Sequence, residues 1–265
     1  MRHLRTRGFT LVELVVVIAL TGVLASVVAI FLRAPVRQYV DLGRRAELSD
    51  TADTALRRIA RDLRHALPNS VRVGAGCTGT NVCSIEFFPT VGGGRYRVGS
   101  GDELDFTRAD TSFDVVGPMP QASTAHHVVV YNLGIHGADA YSGAAAATDV
   151  RRPISGVGAG SLSITSSHPF PFESPGQRFH VVSSPVRYVC NPQAGTLVRE
   201  AGYGWPEAGT TGTSRLLARG VSRCLFTYEQ SAAAQRSGLV TMQITLSEGG
   251  EGVSLYHAVH VSNQP

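Results

Sequence analysis

The feature that most constrains this chain is an apolar run near its N-terminus, Phe9–Leu32, whose 24 residues include one ionisable side chain, Glu13. A helix of that length is about 36 Å long, enough to cross the hydrocarbon core of a bilayer. The preceding segment, Met1–Gly8, contains three arginines and no acid. This order predicts a membrane-spanning helix at 9–32 with its basic end on the cytoplasmic side.

A plain membrane anchor and a cleaved secretory signal are alternative interpretations of the same run. A secretory signal predicts cleavage near Ala25, after Val23 and Leu24. Its apolar region, however, normally has about 7–15 residues, which is shorter than the run found here. A lone carboxylate in a span also costs about 2.5–3.5 kcal/mol on insertion scales. Glu13 is therefore expected to have a partner.

The residues around Glu13 resemble the prepilin signature of type IV pilins and type II secretion pseudopilins. The matching string is Arg7-Gly8-Phe9-Thr10-Leu11-Val12-Glu13-Leu14. It joins a basic leader, a glycine, a phenylalanine, a glutamate and an apolar helix in fixed order. The resemblance implies that residues 1–8 are a leader, that a prepilin peptidase cleaves after Gly8, and that the new amine of Phe9 is N-methylated. It further implies assembly into a filament with other major and minor pilins.

Glu13 has a physical role in this interpretation. Cleavage after Gly8 creates a positively charged α-amine on Phe9 at the membrane surface. In a helical bundle of subunits, we expect the Glu13 carboxylate of one chain to pair with the Phe9 amine of its neighbour. An unpaired charge is costly in apolar surroundings, so the pair sets the axial register between subunits.

Residues 33–67 predict an amphipathic helical stem. Pro35 is expected to kink or interrupt the chain just after the span. From Ala52 to Leu67, apolar side chains recur at helical spacing and arginines occupy the opposite face. Pro68 is expected to end the helix at Leu67. We expect the following domain to cover the apolar stripe, and we interpret the basic face as solvated rather than as a site for DNA, lipid or an acidic protein.

Residues 68–265 predict a β-rich globular head. Short β-type runs alternate there with glycine, proline, serine and asparagine, and the last three runs predict an antiparallel meander. Asp139–Gly160, rich in alanine and glycine, predicts a mobile loop. The fold class is therefore α+β, a pilin-like long N-terminal helix packed on an antiparallel sheet. The predicted strands are Ser84–Phe88, Glu103–Thr107, His127–Tyr131, Arg178–Ser183, Val186–Cys190, Gly195–Glu200, Val221–Glu229, Gly238–Leu246 and Val253–Val261.

The head resembles larger minor pilins. Val186–Val189 and Gly195–Arg199 are similar to a strand–turn–strand unit of minor pseudopilins, including the J subunit of type II secretion. Leu216–Tyr228, Gly238–Leu246 and His257–Asn263 are similar to a minor pilin of the mannose-sensitive haemagglutinin (MSHA) pilus. The resemblance implies an inner-membrane protein with a periplasmic head that helps assemble or prime such a pilus, in it or at its tip. A minor pseudopilin of type II secretion, or a membrane-anchored periplasmic binding domain or enzyme, is the alternative.

The chain has four cysteines, and all follow the span. In this topology they lie outside the cytoplasm, where oxidised pairs are expected. Cys77 and Cys83 enclose a short loop, which favours local pairing and leaves Cys190 with Cys224. Four cysteines permit three connectivities, and the sequence leaves all three open. Zinc binding is a less favoured alternative because no CxxC pair occurs.

Composition argues against several functions. All 24 basic residues are arginine, which excludes phosphate-binding and Schiff-base lysines. Loss of the leader lowers the basic count from 24 to 21, against 20 acidic residues, so the basic balance reflects topology and argues against a nucleic-acid partner. The glycines of Gly74–Gly79, the acidic turn Asp102–Asp105 and the histidines at 126–127 and 257–260 lack the spacing or context of a cofactor or metal site. We therefore expect no enzymatic activity, no cofactor and no metal.

Overall fold

A computed structural model describes residues 8–142, 149–205, 212–230 and 237–265. The helix α1 runs from Leu11 to Leu63. It passes through Pro35 without a break, although the missing N–H of proline removes one backbone hydrogen bond. Pro35 therefore does not interrupt the helix. Residues 1–7 of the predicted leader lie outside the described ranges.

The chain divides into two compact units between Glu47 and Leu48. In the first unit, none of the span Leu11–Phe31 is buried. In the second unit, α1 buries the apolar stripe that the helical spacing predicts. The buried helical residues are Leu48, Ala52, Ala55, Leu56, Ile59, Ala60 and Leu63.

The helix ends at Leu63 rather than at the predicted Leu67. The residues that follow Leu63 bond to an extended segment instead of continuing the helix. The backbone N–H of Thr90 donates to the His65 carbonyl (2.7 Å), and that of Leu67 donates to the Phe88 carbonyl (2.8 Å). These contacts replace helical hydrogen bonds before the chain reaches its next proline.

A polar contact fixes the end of the helix to the sheet. The hydroxyl of Tyr188 donates to Asp62 Oδ2 (2.6 Å), and Nε of Arg199 donates to the same oxygen (3.1 Å). Burial, together with the Asp62 carboxylate, raises the pKa of Tyr188, which keeps its hydroxyl protonated as a donor. The apolar stripe and this charge-assisted contact therefore hold the same helical turn.

After α1, the described residues form fourteen strands, most of which are short. Their bounds are β1 (Arg72–Val73), β2 (Cys83–Phe87), β3 (Thr90–Tyr96), β4 (Ser112–Val116), β5 (His127–Val129), β6 (Arg151–Val157), β7 (Ser161–Ile164), β8 (Arg178–Val182), β9 (Val186–Asn191), β10 (Thr196–Ala201), β11 (Thr213–Arg219), β12 (Val221–Gln230), β13 (Ser237–Glu248) and β14 (Glu251–Ser262).

Two antiparallel sheets form the main core with the end of α1. The larger has the strand order β1-β2-β9-β10-β11, and the smaller is the predicted meander β12-β13-β14. Ile85, Tyr188, Phe226 and Met242 from these sheets are almost fully buried in one cluster with the helical stripe. The second unit is therefore a β-rich domain of antiparallel sheets that packs around a helix terminus.

A closed barrel lies between β2 and β9 along the chain and was not predicted. Its strand order is β3-β4-β7-β6-β5-β8, and its neighbouring strands pair antiparallel. Phe113 and Phe179 meet edge to face inside it, with ring centroids 5.3 Å apart. Because β2 and β9 pair directly, the barrel is an insertion in the larger sheet.

Two predicted segments differ from the structure. Glu103–Thr107 is not a strand, because Asp105 Oδ1 accepts hydrogen bonds from the backbone N–H (2.7 Å) and hydroxyl (2.6 Å) of Thr107 and holds a turn. Asp139–Gly160 is not a continuous loop, because it contains β6, which pairs with β5 and β7. Residues 143–148 of that segment lie outside the described ranges. The other predicted strands are present with ends that shift by one or two residues.

Candidate functional site

Thr10 forms the N-cap of α1, immediately before the span. Its Oγ1 accepts a hydrogen bond from the backbone N–H of Glu13 (3.3 Å), and its carbonyl accepts one from Leu14 (3.2 Å). The Thr10 hydroxyl also lies 3.5 Å from Glu13 Oε2. A threonine followed three residues later by a glutamate is the capping-box pattern. Glu13 therefore also interacts favourably with the N-terminal end of the helix dipole.

Gly8 and Phe9 precede the helix in a non-helical segment. The Phe9 side chain is 78% exposed, and an added Cβ on Gly8 would have no neighbour within 4 Å. The peptide bond between them is thus open to an enzyme. Packing within the described chain does not require glycine at position 8. A requirement for glycine there would therefore come from recognition by the enzyme that cleaves the bond.

The span presents an uncovered apolar surface. Leu11–Phe31 has a mean hydropathy of 2.9, and none of it is buried. The hydroxyl of Thr21 donates to the Val17 carbonyl (2.7 Å), and that of Ser26 donates to the Val23 carbonyl (2.7 Å). These hydroxyls are satisfied within the helix, as transmembrane segments require. The Glu13 carboxylate is the one charged group in the span.

Comparison with known families agrees with this geometry. Residues 4–29 match the family described as the prokaryotic N-terminal methylation motif. The match supports a type IV pilin-like prepilin leader at this end of the chain. The match is consistent with processing by a prepilin peptidase, and the apolar helix fits membrane anchoring of a pilin-like protein. No curated protein and no solved structure matches the chain.

The cysteines form two disulfides in the head. Cys77 is bonded to Cys83, and Cys190 is bonded to Cys224, the pairing that the sequence favours. Cys190 lies in β9 and Cys224 lies in β12, so the second bond links the two sheets. It spans a sequence separation of 34 residues and is buried in the main core.

A buried basic and aromatic cluster lies beside the barrel. Arg151 is fully buried and donates from Nη1 to His127 Nδ1 (3.2 Å) and from Nε to the Ala140 carbonyl (2.9 Å). The His127 ring stacks on Trp205 with a centroid distance of 3.5 Å. Burial, and to a lesser degree the Arg151 charge, lowers the pKa of His127 to about 3. The imidazole is therefore neutral at pH 7 and accepts the arginine hydrogen bond.

Arg152, the next residue, is buried on the other side of the strand. Its guanidinium donates to the Asp149 carbonyl (2.7 Å), to Ser166 Oγ (2.9 Å) and to the Pro169 carbonyl (3.1 Å). Burial lowers the pKa of Arg152 from its ordinary value. The Arg151 guanidinium is bonded to the His127 ring and the Ala140 carbonyl, and that of Arg152 to several carbonyls and a serine, so both arginines have a structural role.

The acidic turn Asp102–Asp105 is occupied by local contacts. In the acidic turn, Asp102 Oδ2 accepts a hydrogen bond from Ser112 (2.6 Å), and Glu103 Oε2 accepts one from the backbone of Gly99 (2.8 Å). Across the described ranges, no group of three or more His, Cys, Asp and Glu side chains is arranged to hold a metal ion. These contacts give the turn a structural role.

Sequence reasoning missed two parts of this arrangement. The first is the cap at Thr10, for which the Thr-x-x-Glu spacing was an available signal. The second is the cluster of His127, Arg151 and Trp205. No signal in the sequence marks two adjacent arginines as buried, because charged residues are rarely fully buried.

Proposed function

We propose that this chain is a minor pilin, a structural subunit of a type IV pilus-like filament rooted in the inner membrane, and that it is not an enzyme. The observation that carries the proposal is the match of residues 4–29 to the methylation motif. In the proposed sequence of events, a prepilin peptidase cleaves after Gly8 and Phe9 becomes the N-methylated first residue. The mature chain then leaves the bilayer by packing its apolar helix against other pilins.

The uncovered span supports this role. Its apolar side chains require lipid before assembly and neighbouring apolar helices afterwards, because a surface of this size is not stable in water. Glu13 has only the neutral Thr10 hydroxyl as a side-chain contact near its carboxylate within the described residues. An amine on Phe9 of the adjacent subunit would supply the missing opposite charge. Pairing of the two would favour one axial position of each subunit over others.

The head supports a minor rather than a major subunit. It carries an inserted six-stranded barrel in addition to two sheets, which makes it bulky for a subunit repeated at every step of a slender filament. A system like the MSHA pilus is favoured by two head segments that resemble its minor pilin, Leu216–Tyr228 and Gly238–Leu246. Type II secretion is favoured instead by the strand pair Val186–Val189 and Gly195–Arg199, which resembles a unit of minor pseudopilins. Neighbouring reading frames test the choice, since a secretion secretin beside other prepilin genes would favour secretion.

The head is proposed to fold in the periplasm. Two disulfides fit an oxidising compartment, and the basic leader fits a cytoplasmic N-terminus. From Val73 to the last residue the chain has 12 arginines and 14 acidic residues, which argues against nucleic acid as a partner of the head. Pilin subunits and the prepilin peptidase are the proposed partners.

Filament incorporation of a Glu13→Gln variant tests the assembly role. The full chain is expressed in its own host, filaments are sheared from the cells, and the fraction of the chain in the filament pool is measured by immunoblot. Loss of the carboxylate should lower that fraction strongly and leave membrane levels unchanged. Glu47→Gln, which removes an exposed helical carboxylate outside the span, is the matched control. Equal incorporation of Glu13→Gln and wild type would refute the role given to Glu13.

A further inference from the structure

The last strand of the chain, β14, is a long open edge of the meander. Its 12 residues pair with β13 over their whole length without a register shift, and no other strand of the described residues pairs with it. Such an edge presents a row of free backbone N–H and C=O groups to any extended chain that approaches it. Proteins commonly protect edges of this kind with short strands, charged side chains, prolines or bulges.

The edge of the larger sheet has these protective features, and β14 lacks them. The larger sheet ends in β11, which has seven residues, carries Arg215 and Arg219, and has a register shift in its pairing with β10. β14 contains no lysine, arginine or proline, and its one acidic residue, Glu251, is its first. The head thus protects one sheet edge and leaves the other unprotected, which points to a strand that pairs with β14.

The backbone groups that face the open edge can be assigned residue by residue. The N–H of Ser247 in β13 donates to the carbonyl of Gly220, which precedes β12, and so points away from β14. Because hydrogen-bonded and non-hydrogen-bonded pairs alternate along an antiparallel ladder, the residue opposite Ser247, Gly252, has its N–H and C=O on the open edge. Every second residue of β14 shares this orientation, and all of them are exposed: Gly252, Ser254, Tyr256, Ala258, His260 and Ser262.

Both faces of this edge also have apolar surface to cover. Tyr256 is 65% exposed, more than any other large apolar side chain among the described residues of the head. On the opposite face, Val253 and Leu255 pack against the main core but are only partly buried. A strand added beside β14 would bury surface on both faces as well as pair the free backbone groups.

We propose that β14 pairs antiparallel with β14 of a second copy of this chain, so that two heads share one continuous sheet. Residues opposite each other in such a pair leave the same face of the sheet. One register satisfies this condition and also pairs every residue of the open edge, each pair exchanging up to two backbone hydrogen bonds. Its pairs are Gly252 with the partner's Ser262, Ser254 with the partner's His260, and Tyr256 with the partner's Ala258.

The charges at the two ends of β14 favour a second copy as the occupant. The turn that precedes β14 places Glu248 and Glu251 directly opposite each other. Just beyond the other end, Gln264 lines an open depression together with Arg64 and Arg178, and no acidic side chain lines it. In the proposed register, the acidic turn of each copy lies beside this basic end of its partner. The two acidic turns are at opposite ends of the shared ladder and do not repel each other.

Disulfide cross-linking of cysteine variants tests the register. His257 is the residue that the register places opposite its own copy, in a non-hydrogen-bonded pair with Cα atoms about 4.5 Å apart, which a disulfide can bridge. Leu255→Cys, on the same face, is the matched control, because the two Leu255 residues are about 14 Å apart in this register. The purified full chain in non-ionic detergent is oxidised and separated on a non-reducing gel. His257→Cys should give a covalent dimer and Leu255→Cys should not. Equal cross-linking of the two variants, or none at 257, would overturn the proposal.

Sedimentation of the full chain in the same detergent tests the association itself. Wild type should exchange between monomer and dimer, and Ala258→Lys should weaken the dimer at least tenfold, because it places a charge in the middle of the shared edge. Ser214→Lys makes the same kind of change at an exposed position of β11 and should associate as wild type does. Both variants should unfold at the wild-type temperature, since both positions are exposed.

The inference concerns the head and does not depend on the filament role proposed above. A wild-type chain that stays monomeric at about 0.1 mM would contradict it, because a contact weaker than that is not a specific dimer. Equal weakening by Ala258→Lys and Ser214→Lys would also contradict it, because the copies would then associate through general surface charge or through their spans rather than through β14.

Discussion

Acidification should destabilise the head through its buried histidines. His127 is stacked on Trp205 and accepts a hydrogen bond from Arg151, and its charged form is disfavoured by burial, by Arg151 and by His126. Its pKa of about 3 in the fold compares with 6.5 in the unfolded chain. Between these values the unfolded chain binds the extra proton. The stabilisation that His127 contributes is therefore present above pH 6.5 and is lost progressively as the pH falls towards 3.

The expected size follows from the same numbers. Each pKa unit corresponds to about 1.4 kcal/mol, so His127 should remove about 2 kcal/mol of unfolding free energy between pH 6.5 and pH 5. His180, with a pKa of about 4 beside Arg178, acts in the same direction over the same window. Between pH 6.5 and pH 5, wild type should therefore lose about 4 kcal/mol of unfolding free energy. His127→Asn should lose about 2 kcal/mol, because His180 still titrates.

Urea unfolding of the full chain in detergent measures this difference. Trp205 is the only tryptophan and reports on the cluster directly by fluorescence. The comparison is the change in unfolding free energy between pH 7 and pH 5, so the intrinsic cost of the substitution cancels. His260→Asn, which replaces an exposed histidine on β14, is the control and should behave as wild type. If His127→Asn retains the full wild-type pH dependence, burial of a neutral His127 is refuted.

Two further predictions concern the main core. Ile59→Ala removes a fully buried side chain of α1 and should cost about 2–5 kcal/mol of unfolding free energy. Thermal unfolding measures it against Arg61→Ala, an exposed change on the same helix that should cost far less; equal costs would contradict the buried stripe. Replacing Cys190 and Cys224 by alanine should cost about 3–4 kcal/mol, because their bond closes a separation of 34 residues. The denaturant midpoint should fall less when the Cys77–Cys83 disulfide, which closes a shorter loop, is removed. A larger fall for Cys77–Cys83 than for Cys190–Cys224 would contradict this explanation.

The helix and the meander could be predicted because their signals are periodic. The stripe from Leu48 to Leu63 repeats at helical spacing, and β13 alternates buried and less buried residues along its length. The start of the span was marked by a fixed string of residues around Glu13. The capping contact of Thr10 is local in sequence, so it was available from the same string.

Two barrel strands, β5 and β8, were predicted, but the barrel itself was not, because β3, β4, β6 and β7 lack those signals. β3 carries three consecutive glycines and β6 carries a proline, residues that are disfavoured in strands, and β6 also carries two arginines that are buried, which charged residues rarely are. The arginines are tolerated because residues distant in sequence accept hydrogen bonds from their guanidinium groups. Arg152, for example, donates to Ser166 Oγ and to the Pro169 carbonyl.

The N-terminal mass of the mature chain tests the central proposal most directly. Purified from its own host, the chain should begin at Phe9 and carry one added methyl group. Gly8→Val should remain uncleaved although no described residue crowds that position, whereas Gly22→Ala, an equally uncrowded glycine change within the span, should be processed normally. A wild-type chain that retains Met1, or one that begins after Ala25, would contradict the assignment as a processed pilin subunit.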